Sequence, residues 1–462
     1  MTRTKWKQGD LVEAVITDLS DTCDGVGRIG ELVVFVPDTV PGDRVVVRLV
    51  NVKPKYAKGK VKELLQSSPH RIKPACIVAD KCGGCQWQHI SYEYQLEAKR
   101  KAVVQALERI GGFTQPQVDA VITAGKPLDY RNKATYPMGI SSTGGVIAGY
   151  YQKSSHQIVN LNQCPVQDSR LNPILREIKQ DIQSKGWQIY NERNHTGIIR
   201  HLGLRIGRRT GEILLTLIVK DWNIPGSAEK AQEWLDRYPL LVGVMLNRNE
   251  SRTNAIFGKE TRLIAGRDYL EEEFASLKFQ ISPDTFFQVN TETAEALLYE
   301  IQSELNLQGS EILVDAYCGI GTLTLPLSLQ VHLAIGLEIQ QSSVARAKIN
   351  AQYNHINNVA FHSGKVEELL SRISTKPDIV ILDPPRKGCD RTVIETLRKV
   401  KPVRIVYVSC KAATLARDLQ QLCQDGLYTL SRVQPADFFP QTAHVEVAAF
   451  LVRSDARQRY LV

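Results

Sequence analysis

The sequence predicts a multidomain protein: a small closed β-barrel, an α+β middle segment and a doubly wound α/β domain, in that order. Three observations carry this reading. The first seventy residues hold short β-rich segments separated by turn residues. A tight group of cysteines follows Pro74 and leads into further β-rich pieces. From Phe279 onward, apolar strand-like runs alternate with helical ones. A chain of 462 residues is too long for one compact core. The expected boundaries are 1–68, 69–275 and 276–462.

Hydrophobic residues make up 43% of the chain and charged residues 23%, an ordinary globular balance. No apolar run approaches the length of a membrane span. The opening Met1-Thr2-Arg3-Thr4-Lys5-Trp6-Lys7 lacks the apolar core of a signal peptide, so a cytoplasmic protein without a membrane partner is expected. Nine cysteines in such a chain point to metal or catalysis rather than disulfides. The net charge is +9, and Arg44 to Lys73 carries nine Lys/Arg residues against one acid, Glu63. Such a field attracts phosphate backbones, although a solvated face would explain the run equally well.

In the first part, Leu11–Ile16, Leu32–Val36, Arg44–Val50 and Lys60–Leu64 read as strands. Asp24-Gly25, Ile29-Gly30 and Pro41-Gly42-Asp43 supply the turns. Several short strands in sixty residues suggest closure into a barrel. Gly25-Val26-Gly27-Arg28, then Val34-Phe35-Val36-Pro37 and Pro41-Gly42-Asp43, resemble the TRAM domain, an OB-like barrel appended to RNA-modifying enzymes. RNA binding is what that resemblance implies.

Cys76, Cys82 and Cys85 fall within ten residues, the last two as Cys82-Gly83-Gly84-Cys85, and match metal-ligand spacing. Cys164, in Asn162-Gln163-Cys164-Pro165, is the candidate fourth ligand. Four thiolates suit zinc or an iron–sulfur cluster, and spacing does not choose. The Cys-Gly-Gly-Cys-x-x-Gln-His wording resembles the iron–sulfur motif of RNA uracil-5-methyltransferases, which favours a structural [4Fe–4S] cluster over zinc. His89 reads as a supporting or core residue.

Ser91 to Gly111 reads as an amphipathic helix through Leu96, Val103, Leu107 and Ile110, able to pack on the last domain. Gly197 to Lys220 reads as a β-hairpin turning at Arg209-Thr210-Gly211-Glu212. On their residues alone Arg131, Lys133, Arg200 and Arg205 are surface cations; their boxes resemble RNA-facing segments of the same family.

In the last part, Thr291 caps a helix through Leu305. Ile312-Leu313-Val314-Asp315-Ala316-Tyr317 runs into Cys318-Gly319-Ile320-Gly321-Thr322, a strand, a glycine turn and a helix. A second strand, Leu333 to Leu337, ends at Glu338, placed to accept from ribose hydroxyls. A dinucleotide site uses the same geometry, but the third glycine of that fingerprint is absent. The wording resembles motif I of S-adenosylmethionine-dependent methyltransferases. Val359–His362, Asp378–Leu382, Arg404–Ser409, Tyr428–Val433 and His444–Leu451 complete a seven-stranded sheet. Asp383-Pro384-Pro385 follows one strand tip, as it does in amino-group methyltransferases, which need no cysteine.

Arg404–Ser409 delivers Cys410 to a strand tip, where open α/β sheets keep their chemistry. A lone cysteine there is more often a small buried apolar residue. A nucleophilic reading gains weight from Glu446 at the opening of the final strand. Uracil carbon 5 is a poor nucleophile; a thiolate on carbon 6 activates it, and a base must then remove the carbon-5 proton. Phe286-Phe287-Gln288-Val289-Asn290, the motif I box, Asp383-Pro384-Pro385-Arg386, Val408-Ser409-Cys410 and Phe439-Pro440-x-Thr442-x-His444-Val445-Glu446 resemble, in order, the RNA uracil-5-methyltransferase family across the chain.

The resemblance implies Cys410 as nucleophile and Glu446 as base. It makes Gln288, Tyr317, Glu338 and Asp383 contacts to S-adenosylmethionine. The chain departs from the family at Lys411-Ala412, often Asn-Pro, and at Gly364-Lys365, which leaves the adenine contact unassigned. Cys23, Cys318, Cys389 and Cys423 match no catalytic position. The expected activity is methylation of uridine carbon 5 in structured RNA, 23S ribosomal RNA first and transfer RNA second, with no protein partner implied. A non-catalytic RNA-binding iron–sulfur protein on the same scaffold is the alternative from another class.

Overall fold

The computed structural model describes residues 6–459. Strands β1 (Leu11–Leu19), β2 (Gly25–Ile29), β3 (Leu32–Val36), β4 (Arg44–Val52) and β5 (Tyr56–Gln66) form a closed barrel in the order β1-β2-β3-β5-β4. Every second residue points inward, so Val12, Ala14, Ile16, Val34, Val36, Val45, Val47 and Leu49 make the core. Strand β2 lies where turn residues were expected. Its glycines are needed for close approach: a Cβ on Gly25 would meet Thr39 Oγ1 at 1.9 Å, and one on Gly27 the Val15 carbonyl oxygen at 2.7 Å. Lys58, Lys60 and Lys62 of β5 and Arg48 of β4 are exposed, so the basic run is a surface feature.

Helix α1 (Tyr92–Arg109) buries Gln95, Lys99, Val103 and Leu107, spaced by four. The expected stripe is half right: Val103 and Leu107 are buried, but Ile110 is 43% exposed and Leu96 only partly covered. Two polar side chains take the upper half of the buried face, which hydrophobic periodicity does not anticipate.

The middle sheet runs β12-β11-β10-β9-β6-β7-β8. Its members are β6 (Lys133–Ile140), β7 (Val146–Tyr151), β8 (Ile158–Asn160), β9 (Ile199–Ile206), β10 (Ile213–Val219), β11 (Leu241–Arg248) and β12 (Glu260–Gly266). Helices α2 (Leu171–Ser184) and α3 (Ser227–Arg237) share its core through Ile174, Ile178 and Trp234. β9 and β10 form the expected antiparallel pair. Arg200 and Arg205, expected on the surface, are buried at 7% and 4% exposure. Arg205 donates to the carbonyls of Ser282 and Thr285, both at 2.9 Å, and so braces the turn that enters the last domain.

After the hairpin β13 (Leu270–Phe274) and β14 (Leu277–Ile281), helix α4 (Thr291–Leu305) begins. Its cap is Asn290 rather than Thr291: the Asn290 side chain accepts from the Thr293 N–H at 3.2 Å. The final sheet comprises β15 (Ile312–Ala316), β16 (Leu333–Glu338), β17 (Val359–Ser363), β18 (Ile379–Leu382), β19 (Arg404–Ser409), β20 (Tyr428–Ala436) and β21 (Glu446–Arg453), in the order β17-β16-β15-β18-β19-β21-β20. β21 does not close the edge but is inserted antiparallel between β19 and β20. Helices α5 (Thr324–Ser328), α6 (Gln341–Tyr353), α7 (Val366–Leu369), α8 (Arg391–Val400) and α9 (Ala412–Cys423) connect the strands. Residues alternate between two cores: Ile379, Ile381, Val406 and Val408 face one, and Val380, Leu382, Ile405 and Tyr407 the other. No helix among the described residues is long and apolar enough to cross a membrane.

Candidate active site

Strand alternation decides which side chains meet. Continuing the face of Ile379 and Ile381 brings Asp383 to the tip of β18, and continuing Val406 and Val408 brings Cys410 to the tip of β19. On antiparallel β21, Ala448 and Phe450 lie on the same face, so Glu446 does too. The ladder pairs Ser409 with Val447; one step further, Cys410 stands opposite Glu446. Glu446 is itself paired with Ala436 of β20. A thiol and a carboxylate thus converge at the carboxyl end of the sheet.

Cys410 is half-buried and unbonded to any other cysteine. Burial pushes its thiol up, the charges of Glu446 and Asp383 push it further, and Arg386 opposes them. Glu446, 3% exposed, is held well above the usual carboxylate range by burial and by Asp383, again opposed by Arg386. Burial and Asp315 carry Asp383 up to about 7, and burial carries Asp315 to about 6. Burial and mutual repulsion push these three carboxyl groups toward their neutral, protonated forms, the kind of perturbation that marks a functional site. Arg386, named in a motif but given no role by the sequence, is a cation that acts on both Cys410 and Glu446.

On the neighbouring strands, Gln288, Tyr317 and Asp383 line one cavity together with Gly319, Val408 and Phe438. Tyr317 leaves β15 at φ 76°, a left-handed conformation that turns the chain sharply at the strand tip. Its N–H and that of Cys318 both donate to the Leu337 carbonyl, at 2.8 and 3.0 Å. A Cβ on Gly319 would meet nothing within 4 Å, so the backbone there faces open space. Glu338 is not part of that lining but borders it: its Oε2 accepts from the Gly319 N–H at 3.1 Å. Gln288 is placed by Asn132, whose Nδ2 donates to the Gln288 carbonyl at 2.9 Å and to Thr291 Oγ1 at 3.0 Å. Asn132 sits between the two cations of Tyr130-Arg131-Asn132-Lys133, and nothing in the pattern singled it out.

Cys76, Cys82, Cys85 and Cys164 line a single cavity of about 320 Å³. All nine cysteines are free thiols. Burial pushes Cys85 to about 12 and Cys164 to about 11, with repulsion from the other thiols of the group adding to both. Among the described residues, no three His, Cys, Asp or Glu side chains lie close enough to hold a metal ion. The same cavity is also lined by Arg131, Arg386, Phe439 and His444, and Arg386 is a charge that acts on Cys410.

A mostly parallel sheet with a glycine turn, an acidic strand tip and a ligand cavity beyond them fits the fold of an S-adenosylmethionine-dependent methyltransferase. Residues 91–454 match the model of the tRNA (Uracil-5-)-methyltransferase family, and residues 5–62 match the TRAM domain. The chain belongs to the tRNA (Uracil-5-)-methyltransferase family. It is 70% identical over 456 residues to an uncharacterized RNA methyltransferase of Nostoc sp., covering 99% of both chains. It is 53% identical over 446 residues to another from Synechocystis sp., covering 96% of both. Among solved structures it is similar to the Pyrococcus abyssi tRNA (uracil-54, C5)-methyltransferase in complex with S-adenosyl-L-homocysteine. There the TM-score is 0.76 and the identity 28%, over 96% of this chain and 100% of that one.

Proposed function

We propose that this RNA methyltransferase places a methyl group on carbon 5 of a uridine in 23S ribosomal RNA, with Cys410 as nucleophile and Glu446 as base. The observation that carries the reading is the cross-strand opposition of those two side chains beside Asp383. The uridine must leave its stack to reach a strand tip. The Cys410 thiolate adds to carbon 6, and the electron pair moves to carbon 5, which takes the methyl carried by S-adenosylmethionine as the sulfur–methyl bond breaks and S-adenosylhomocysteine leaves. Glu446 then accepts the carbon-5 proton, the carbon 5–carbon 6 double bond re-forms, and the sulfur–carbon bond breaks to return the thiolate. Arg386 favours the charged forms of both groups. Gln288, Tyr317 and Asp383 hold the donor and Glu338 its ribose.

Cys76, Cys82, Cys85 and Cys164 would hold a [4Fe–4S] cluster; among the described residues no three of them lie close enough for a single zinc ion. The group would cross-link the cysteine-rich loop to the segment around Cys164. Four reduced thiols around one cavity supply the right donor chemistry. Iron and sulfide analysis of protein purified without oxygen tests this.

Transfer RNA is the second reading of the substrate, supported by the likeness to the Pyrococcus abyssi enzyme, which spans 96% of this chain and so includes a barrel region. The ribosomal reading draws on the resemblance of barrel plus cysteine set to bacterial ribosomal enzymes. Nucleoside mass spectrometry of separated 23S and transfer RNA from a deletion strain decides between them. Loss of 5-methyluridine from 23S RNA alone is the expected result. Loss from transfer RNA alone moves the substrate, and no loss from either rejects the activity.

A further inference from the structure

Helix α1 bridges the two halves of the reacting centre. Its lower face, Val103 and Leu107, shares a core with Leu415 and Leu419 of α9, the helix that starts two residues after Cys410. Its upper face holds the loop between β20 and β21. Lys99 Nζ donates to Asp437 Oδ1 at 2.6 Å and to the Phe439 carbonyl at 3.1 Å. Gln95 Nε2 donates to Gln441 Oε1 at 3.1 Å, and the Gln441 N–H returns a bond to Gln95 Oε1 at 3.0 Å. Asp437 directly follows Ala436, the ladder partner of Glu446. The cysteine-rich segment grips the same loop: the Gln86 and Trp87 N–H groups both donate to the Gln441 carbonyl, at 3.1 and 3.0 Å.

The side chains of Lys99 and Asp437 are both 0% exposed. An apolar pair of similar volume stabilises a core at least as well as a buried ion pair, so packing alone does not call for these charges. What the pair adds is direction: it fixes one carboxylate, and the chain next to Glu446, at a single place on α1.

We propose that Lys99 is a positioning residue that acts through Asp437 to set the Glu446 carboxylate against the carbon bound to Cys410. The inference rests on Glu446 being the base. The step affected is the last one, in which the carbon-5 proton passes to Glu446 and the sulfur–carbon 6 bond breaks. A misplaced carboxylate leaves addition and methyl transfer intact and stalls release, so methylated RNA stays covalently bound.

The test uses the full chain with substrate RNA and methyl-labelled donor, and follows turnover and labelled protein–RNA adduct on denaturing gels. Lys99→Met combined with Asp437→Asn removes both charges without leaving one buried alone. Gln441→Gly, at a residue with φ 72°, cuts the Gln95 side-chain tie without backbone strain and serves if the double variant does not fold. The double variant is expected to lower kcat about 10- to 100-fold with KM for RNA unchanged and to accumulate labelled adduct; Gln441→Gly does the same to a smaller degree. Wild-type turnover per folded molecule, with no adduct in either variant, overturns the proposal. Glu446→Gln runs in parallel: absence of labelled adduct there rejects the base assignment, whereas adduct in Glu446→Gln but in neither of the others rejects only the role of Lys99.

Discussion

Most of the residues proposed to hold the donor are neighbouring strand tips of one sheet, whereas the loop beside the proposed base is tied to segments far away along the chain. Asp383, Tyr317 and Glu338 end strands that are adjacent in space and follow one another within the last third of the sequence. On the base side, Lys99 bonds to Asp437 at a separation of 338 residues and Gln95 to Gln441 at 346. Three of the four proposed donor contacts are carried by the sheet, and the fourth, Gln288, lies outside it and is held by Asn132. Glu446, the proposed base, opens β21 just after a hairpin loop, and that loop is held by a helix, a cysteine-rich segment and Tyr130, whose hydroxyl donates to the Pro440 carbonyl at 3.1 Å.

If the two sides are separable, changes on each should give different kinetic signatures. Cys410→Ala should lower methylation by about 10⁴-fold or more while donor binding, read by calorimetry, stays intact. Glu446→Gln should cost roughly 10²–10⁴-fold in turnover, with labelled RNA remaining attached to the protein. Glu338→Gln should instead weaken donor binding about 10- to 100-fold and leave thiol addition to RNA unchanged, because one charged acceptor is lost at the ribose end. Arg386→Gln gives the smallest effect. Arg386 lowers the Cys410 pKa, so its removal raises it further, and the pH profile of Cys410 alkylation by iodoacetamide should move to higher pH. At fixed pH the alkylation rate should fall about two- to five-fold. Glu446→Gln should move that profile the opposite way, since the Glu446 charge raises the thiol.

The same contrast explains what the residues disclosed. Cys410, Asp383 and the Tyr317–Gly321 turn were legible because each is a local word: a strand, a tip and a turn within ten residues. Cys410 opposite Glu446 needed only strand alternation once β21 was placed, although its position between β19 and β20 rather than at the edge was not visible in a linear pattern. Lys99, Gln95 and Asn132 were not legible. Each is a polar side chain whose partners lie far along the chain, and hydrophobic periodicity assigns such residues to solvent. Arg200 and Arg205 misled for the same reason: a charged residue is presumed exposed until its carbonyl acceptors are known. Strand β2 was hidden by glycines that are required for close packing in the barrel rather than for turns.

The most direct test of the central claim is covalent trapping on RNA in which the target uridine is replaced by 5-fluorouridine, in the presence of S-adenosylmethionine. After methyl transfer, carbon 5 carries fluorine where Glu446 would remove a proton, so release is blocked. The wild-type protein should form a stable one-to-one adduct through Cys410, identified by mass spectrometry of the crosslinked peptide, and Cys410→Ala should form none. A wild-type protein that methylates normal RNA yet gives no adduct, or an adduct mapped to another residue, would contradict the account.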